Sequence, residues 1–151
     1  MDLILWRHAE AADGFPDIKR ELTRKGHKQA RDIAAWLRPR LPESVHVLSS
    51  PAERTRQTAS ALTHEFVVTE SIAPGASAQT VIAAARWPDA TGAVVLVGHQ
   101  PTLGEAAAVL LTGKKLPWSI RKGAVWWFRR RVRDGYAQVA LRAVMSPDLL
   151  Q

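Results

Sequence analysis

No cysteine occurs among the 151 residues, which excludes disulfides, thiolate zinc sites and a cysteine nucleophile for phosphate chemistry. Long apolar runs are missing too. The first, Leu3–Trp6, is far too short for the core of a secretory signal, and nothing approaches the roughly 20 residues of a membrane span. A cytoplasmic chain with no membrane partner is therefore expected. There is no internal repeat, low-complexity tract or linker, so the chain reads as one domain, residues 1–151. No pair of histidines stands at metal-ligand spacing on a helix, and neither metal nor cofactor is expected.

The residues present are 46% apolar and 23% charged, the balance of a folded globule. Lysine and arginine number 21 against 14 acidic residues, for a net charge of +7. Such a surface favours anionic partners: phosphorylated molecules, nucleic acid or a membrane. Charge alone does not choose among them.

Leu3-Ile4-Leu5-Trp6 has the pattern of a strand buried on both faces, and it breaks at Arg7-His8. Thr23 can cap a helix whose Ala30, Ile33, Ala34 and Leu37 share one face, with Pro39 and Pro42 beyond its end. Val45–Leu48 reads as a second strand. Ser49 or Ser50 is then expected to cap a helix with Pro51 at its first position and Ala61 and Leu62 on its core face. Phe66–Thr69 can form a short strand and Ser77–Trp87 a helix. Ala93–Val97 is another buried run, stopping at Gly98-His99, and Pro101 opens a helix that Gly113 closes. Two final strands, Gly123–Arg131 and Tyr136–Val144, meet at Asp134-Gly135, a tight-hairpin dipeptide. The alternation predicts a three-layer α/β/α fold, its sheet mostly parallel with an antiparallel C-terminal edge hairpin.

In open α/β sheets ligands bind outside the carboxyl ends of the strands. Three strand ends here carry polar groups: Arg7-His8, Ser49-Ser50-Pro51 followed by Arg54, and Gly98-His99. Arginine offers forked, permanently charged donors matched to phosphate oxygens, and a neutral imidazole nitrogen can attack phosphorus. These side chains at one sheet edge point to phosphoryl transfer.

These segments resemble the histidine phosphatase superfamily, to which phosphoglycerate mutases and acid phosphatases belong. Leu3-Ile-Leu-Trp-Arg-His-Ala-Glu-Ala resembles its strand-plus-RHG signature and Arg20-Glu-Leu-Thr, with Gly26 and Gln29-Ala30, the helix opening that follows. Ser49-Ser-Pro-Ala-Glu-Arg-Thr-Arg-Gln-Thr-Ala resembles the second arginine motif and Val97-Gly-His-Gln-Pro the second histidine motif. The likeness runs from about Leu3 to Leu111. The short length is similar to the compact SixA-type phosphohistidine phosphatases, which lack a large helical cap.

The resemblance implies a phosphoglycerate mutase-like fold, with His8 as the nucleophile that becomes phosphorylated. Arg7, Arg54 and His99 would hold the phosphate and steady the transition state, and Arg20 could reach the pocket rim. Two departures stand out. Ala9 occupies the usual glycine position, and Gln100 follows His99 where the acid phosphatases have an aspartate proton donor. A general acid contributes about 10²–10⁴-fold when a poor alkoxide must leave, whereas the imidazole of phosphohistidine leaves far more easily. Phosphohistidine on a protein is the expected substrate, a small phosphomonoester or pyrophosphate compound the alternative, and a non-catalytic phosphate-binding module a further reading.

Other residues read more plainly. Glu10 could serve as acid or base, or simply be a solvated loop charge; His27, His46 and His64 fit packing or surface roles. Trp126-Trp127-Phe128-Arg129-Arg130-Arg131 invites a nucleic-acid reading, but strand alternation places these aromatics partly in the core. Lys114, Lys115, Arg121 and Lys122 better suit attraction of an acidic phosphoprotein.

Overall fold

The computed structural model describes all residues, Met1–Gln151. In chain order the elements are β1 (Asp2–Arg7), α1 (Arg24–Leu37), β2 (Val45–Ser49), α2 (Glu53–Leu62), β3 (Phe66–Val68), α3 (Ala78–Ala84), β4 (Ala93–Gly98), α4 (Thr102–Thr112), β5 (Val125–Arg133) and β6 (Tyr136–Met145). Short 3-10 turns include Asp17–Lys19 and Pro147–Leu150. No helix is long and apolar enough to cross a membrane.

The apolar residues of β1 are fully buried because the sheet is covered on both faces. Ile4 and Trp6 pack with Ile33, Ala34 and Leu37 of α1 and Ala59 of α2. Leu3 and Leu5 pack on the other face with Val81 of α3 and Leu103, Ala106 and Ala107 of α4. Each large side chain so buried stabilises the fold by about 1.5–3 kcal/mol. The six strands run in the order β3-β2-β4-β1-β5-β6. The first four are parallel, and β5 and β6 add the antiparallel edge hairpin, as the sequence pattern leads one to expect.

Strand order positions the site. Sequence neighbours β1 and β2 do not pair; β4 lies between them. Arg7 stands level with Gly98 and Ser49 with Val97. The residues that follow, His8, His99 and Ser50, therefore emerge along one edge, where β4 has been inserted and ligands of such sheets bind.

Three local expectations change. Helix α2 starts at Glu53, with Ala52 as its cap residue and no side-chain cap; Pro51 lies outside it, and the Ser50 hydroxyl accepts from Ala52 N at 3.2 Å. Ala61 and Leu62 are only half-buried. The inward face of α2 is Arg54, Thr55, Thr58 and Ala59, because its first turns serve the site rather than the apolar core. Helix α3 is shorter than expected: Ser77 does cap it, accepting from Thr80 N at 3.1 Å, but Arg86 takes a positive φ of 56° and Trp87 precedes a proline.

At the hairpin tip Asp134 and Gly135 have φ of 52° and 79°, the positive values a two-residue type I′ turn requires. Of the aromatic run, Trp127 is buried against the α1 side and Phe128 against the α4 side, so neither ring is free to stack on a base. The Trp127 indole and the Arg129 guanidinium both donate to Asp2, at 3.1 and 2.8 Å. Burial alone would raise the Asp2 carboxyl; these two donors outweigh it and hold the group below the usual carboxylate range.

Candidate active site

His8 follows directly on β1 and is buried. Its main chain is clamped on both sides: His8 N donates to Gly98 O at 3.1 Å, and Gly123 N donates to His8 O at 3.0 Å. Ring Nδ1 lies 2.7 Å from the Ala9 carbonyl. A carbonyl can only accept, so Nδ1 carries the proton and Nε2 keeps its lone pair. Burial, reinforced by the positive charges of Arg54, Arg7 and Arg20, pushes the imidazole down to about 4 despite the opposing pull of the Ala9 carbonyl. The ring is a neutral base with one nitrogen free.

His99 follows β4, with its ring centroid 5.4 Å from that of His8. Arg54 Nη2 is 3.5 Å from His99 Nδ1, and His99 Nε2 is 2.7 Å from Ser50 Oγ. Guanidinium N–H groups only donate, so Nδ1 accepts and Nε2–H donates to the serine. Burial first, then Arg54 and His8, lowers this imidazole to about 3. Ser50, expected as a helix cap, is thus the residue that orients the second histidine. Its place at a polar strand end is visible in the sequence, but only the pairing of β2 with β4 brings its hydroxyl to His99.

Arg54 is buried at the first turn of α2. Its Nη1 donates to Asp17 O at 2.9 Å and its Nη2 to Asp17 Oδ2 at 3.1 Å, while Nε has no partner. Asp17 is also held by Arg20, whose Nη1 donates to Oδ1 at 3.1 Å and whose Nε donates to Ala12 O at 2.8 Å. The Arg20 hydrogen bond is the main cause holding the Asp17 carboxyl below its ordinary value, with Arg54 adding to it. Arg20 therefore reaches the site through Asp17, a residue the sequence reading passed over. Arg7 Nη1 donates to Ile120 O at 2.9 Å, and its Nε is likewise unpartnered.

Ala9 fits without strain. Positive φ among non-glycine residues is confined to Arg86 and Asp134, so this position needs no glycine. Its methyl group packs with Leu22 and Ala30, and its amide donates to Thr58 Oγ1 at 3.1 Å, while the Thr58 hydroxyl donates to Arg54 O at 2.8 Å. The loop after His8 is thereby fastened to the helix that carries Arg54. Gly26 is required nearby: a Cβ there would lie 2.0 Å from the Glu10 carbonyl oxygen. The Glu10 carboxylate accepts from the Thr23 hydroxyl at 2.7 Å. His46 is exposed on β2, away from this cluster.

The two depressed histidines set a pH dependence of stability. Folded, they stay neutral down to about 4 and about 3, whereas in the unfolded chain they take protons near 6.5. The unfolded state then binds more protons between about 4 and 6.5, so stability rises with pH through that window and falls on acidification. Denaturant midpoints measured from pH 7 to pH 4.5 are expected to decline, and to decline less in a His99→Gln variant.

Residues 3–74 match the family model of the histidine phosphatase superfamily (branch 1). An uncharacterised protein of Picosynechococcus sp. is 36% identical over 124 residues, which span 76% of this chain and 75% of that one. The protein histidine phosphatase SixA, solved in complex with tungstate, superposes with a TM-score of 0.79 at 26% identity, covering 100% of both chains. SixA from Agrobacterium tumefaciens gives a TM-score of 0.73 at 28% identity over 97% of this chain and 98% of its own.

Proposed function

The chain belongs to the histidine phosphatase superfamily, and from that membership we propose that it is a phosphatase with His8 as nucleophile, acting on phosphohistidine carried by a protein. The observation that carries the nucleophile is the state of His8: buried and neutral, with Nδ1–H tied to Ala9 O and Nε2 free. In this reading the Nε2 lone pair attacks phosphorus and the bond to the leaving imidazole nitrogen breaks with its electrons staying on that nitrogen. The substrate ring's other nitrogen already carries a proton, so neutral imidazole leaves. The phosphoryl group rests on His8 Nε2 until water attacks phosphorus. The P–Nε2 bond then breaks with its electrons returning to Nε2, the water's protons pass to the phosphate oxygens or to solvent, and inorganic phosphate departs. Arg7 and Arg54 offset the charge of the phosphoryl oxygens, and His99, neutral in the resting pocket, joins them by taking up a proton as the anion arrives. The unpartnered Nε donors of both arginines fit an anion-binding role.

The choice of substrate rests on the carboxylates at the site. Asp17, the carboxylate bonded to Arg54, is held ionised by Arg20 and Arg54 and is not a ready proton donor to an alkoxide. An imidazole leaving group dispenses with that donor. The likeness to SixA supports the same reading.

A substrate panel tests it. Phosphohistidine peptide is expected to turn over at least 10²-fold faster than a sugar phosphate, the scale of a missing general acid. Comparable turnover of the sugar phosphate, with none of the phosphopeptide, would move the assignment to small phosphomonoesters. Binding of phosphate with no turnover of any substrate would leave a phosphate-binding module.

A further inference from the structure

A polar cavity of about 380 Å³ adjoins the site through Arg7. No Leu, Ile, Val, Met or aromatic side chain lines it; its walls include Lys25, Arg121 and Lys122 as well as Glu10 and Asp148. The two carboxylates have partners of their own. Glu10 accepts from Thr23, and Asp148 accepts from Ser146 and lies 3.7 Å from Arg121 Nη1. Lys25 and Lys122 form no ion pair at all. Both are exposed. Lys25 also stands in the first turn of α1, a turn without any acidic residue, although cations at that end oppose the helix dipole.

The cavity wall is fastened to the catalytic strand. Arg7 donates to Ile120 O, Gly123 N donates to His8 O, and the Trp6 indole donates to Gly123 O at 3.0 Å. Segment 120–123, which bears Arg121 and Lys122, is thus held in a set position relative to His8. We propose that this cavity is a subsite for a second anionic group of the substrate, a carboxylate or phosphate borne beside the phosphoryl group that reaches His8. Water and ionised groups suit a cavity so polar, and the two unpaired lysines supply the attraction. The proposal rests on the phosphatase reading for the position of the first phosphoryl group. Its ligand chemistry has two sources: an acidic side chain flanking phosphohistidine on a protein, or the second phosphate of a pyrophosphate compound.

The test compares the wild type with the Lys25→Gln/Lys122→Gln double variant, both as full chains. One arm measures kcat/KM on two phosphohistidine peptides, one with flanking glutamates and one with glutamines. The other measures Kd for inorganic pyrophosphate and for orthophosphate by calorimetry. For an acidic side chain, the preference for the glutamate peptide is expected to fall about five- to tenfold in the variant, the scale of two exposed charge contacts. For a second phosphate, the preference for pyrophosphate over orthophosphate falls by a similar factor. If both preferences stay within twofold of wild type, the subsite is refuted. Failure of the wild type to turn over either peptide would count against the phosphatase reading alone, because the calorimetric arm still decides the subsite.

Discussion

Replacing His8 by alanine is expected to abolish turnover of every phosphorylated substrate, a loss on the order of 10⁶-fold, as when the nucleophile of a cooperating catalytic unit is removed. No other group in the pocket can take over. His99 carries the same ring, but its Nδ1 faces Arg54 and its Nε2 is committed to Ser50. Alanine also removes the hydrogen bond to Ala9 O without touching the main-chain clamps that hold residue 8 to Gly98 and Gly123, so the variant should fold. Wild-type protein mixed with substrate and quenched in alkali should carry phosphate on a histidine nitrogen, released by acid; the variant should carry none. Turnover within a hundredfold of wild type in His8→Ala would remove His8 from the nucleophile role.

Arg54→Ala is expected to reduce kcat/KM by about 10³-fold, the upper range for loss of one preorganised donor to developing charge. Arg54→Lys should recover no more than about tenfold of that. A lysine keeps the charge but has neither the fork nor the fixed plane of donors. Arg54 is also tied to its neighbours, its main-chain carbonyl accepting from the Thr58 hydroxyl that holds Ala9 N and its Nη2 lying 3.5 Å from the ring of His99. Both variants should therefore be checked for a wild-type near-UV spectrum. If Arg54→Lys equals wild type in kcat/KM, the residue contributes charge alone.

The buried strands and the site residues at their ends could be read from the sequence because each signal is local. An apolar run that breaks into Arg7-His8 or Gly98-His99 needs no partner to be recognised, and Pro101 and Gly113 bracket α4 by their own backbone limits. What escaped depends on pairs distant in the chain. Ser50 looks like a helix cap until β4 is known to lie beside β2, which places His99 against its hydroxyl. Thr58 is four residues beyond Arg54, so the two share a helix face, and that polar face could have been taken as a sign that α2 turns inward toward a site. Asp17 had no such signal: it sits in a single 3-10 turn within a polar loop, and only the folded chain carries it to Arg54.

That placement of Asp17 governs how the pocket meets its ligand. Both terminal nitrogens of Arg54 are already occupied by oxygens of residue 17, one from the main chain and one from the side chain. On the proposed reading an arriving phosphoryl group meets a tethered carboxylate already bonded to the same guanidinium, and the two anions share or compete for its five N–H donors. Asp17→Asn, which keeps the shape but drops the charge, is then expected to tighten binding of orthophosphate, read as a lower Kd by calorimetry.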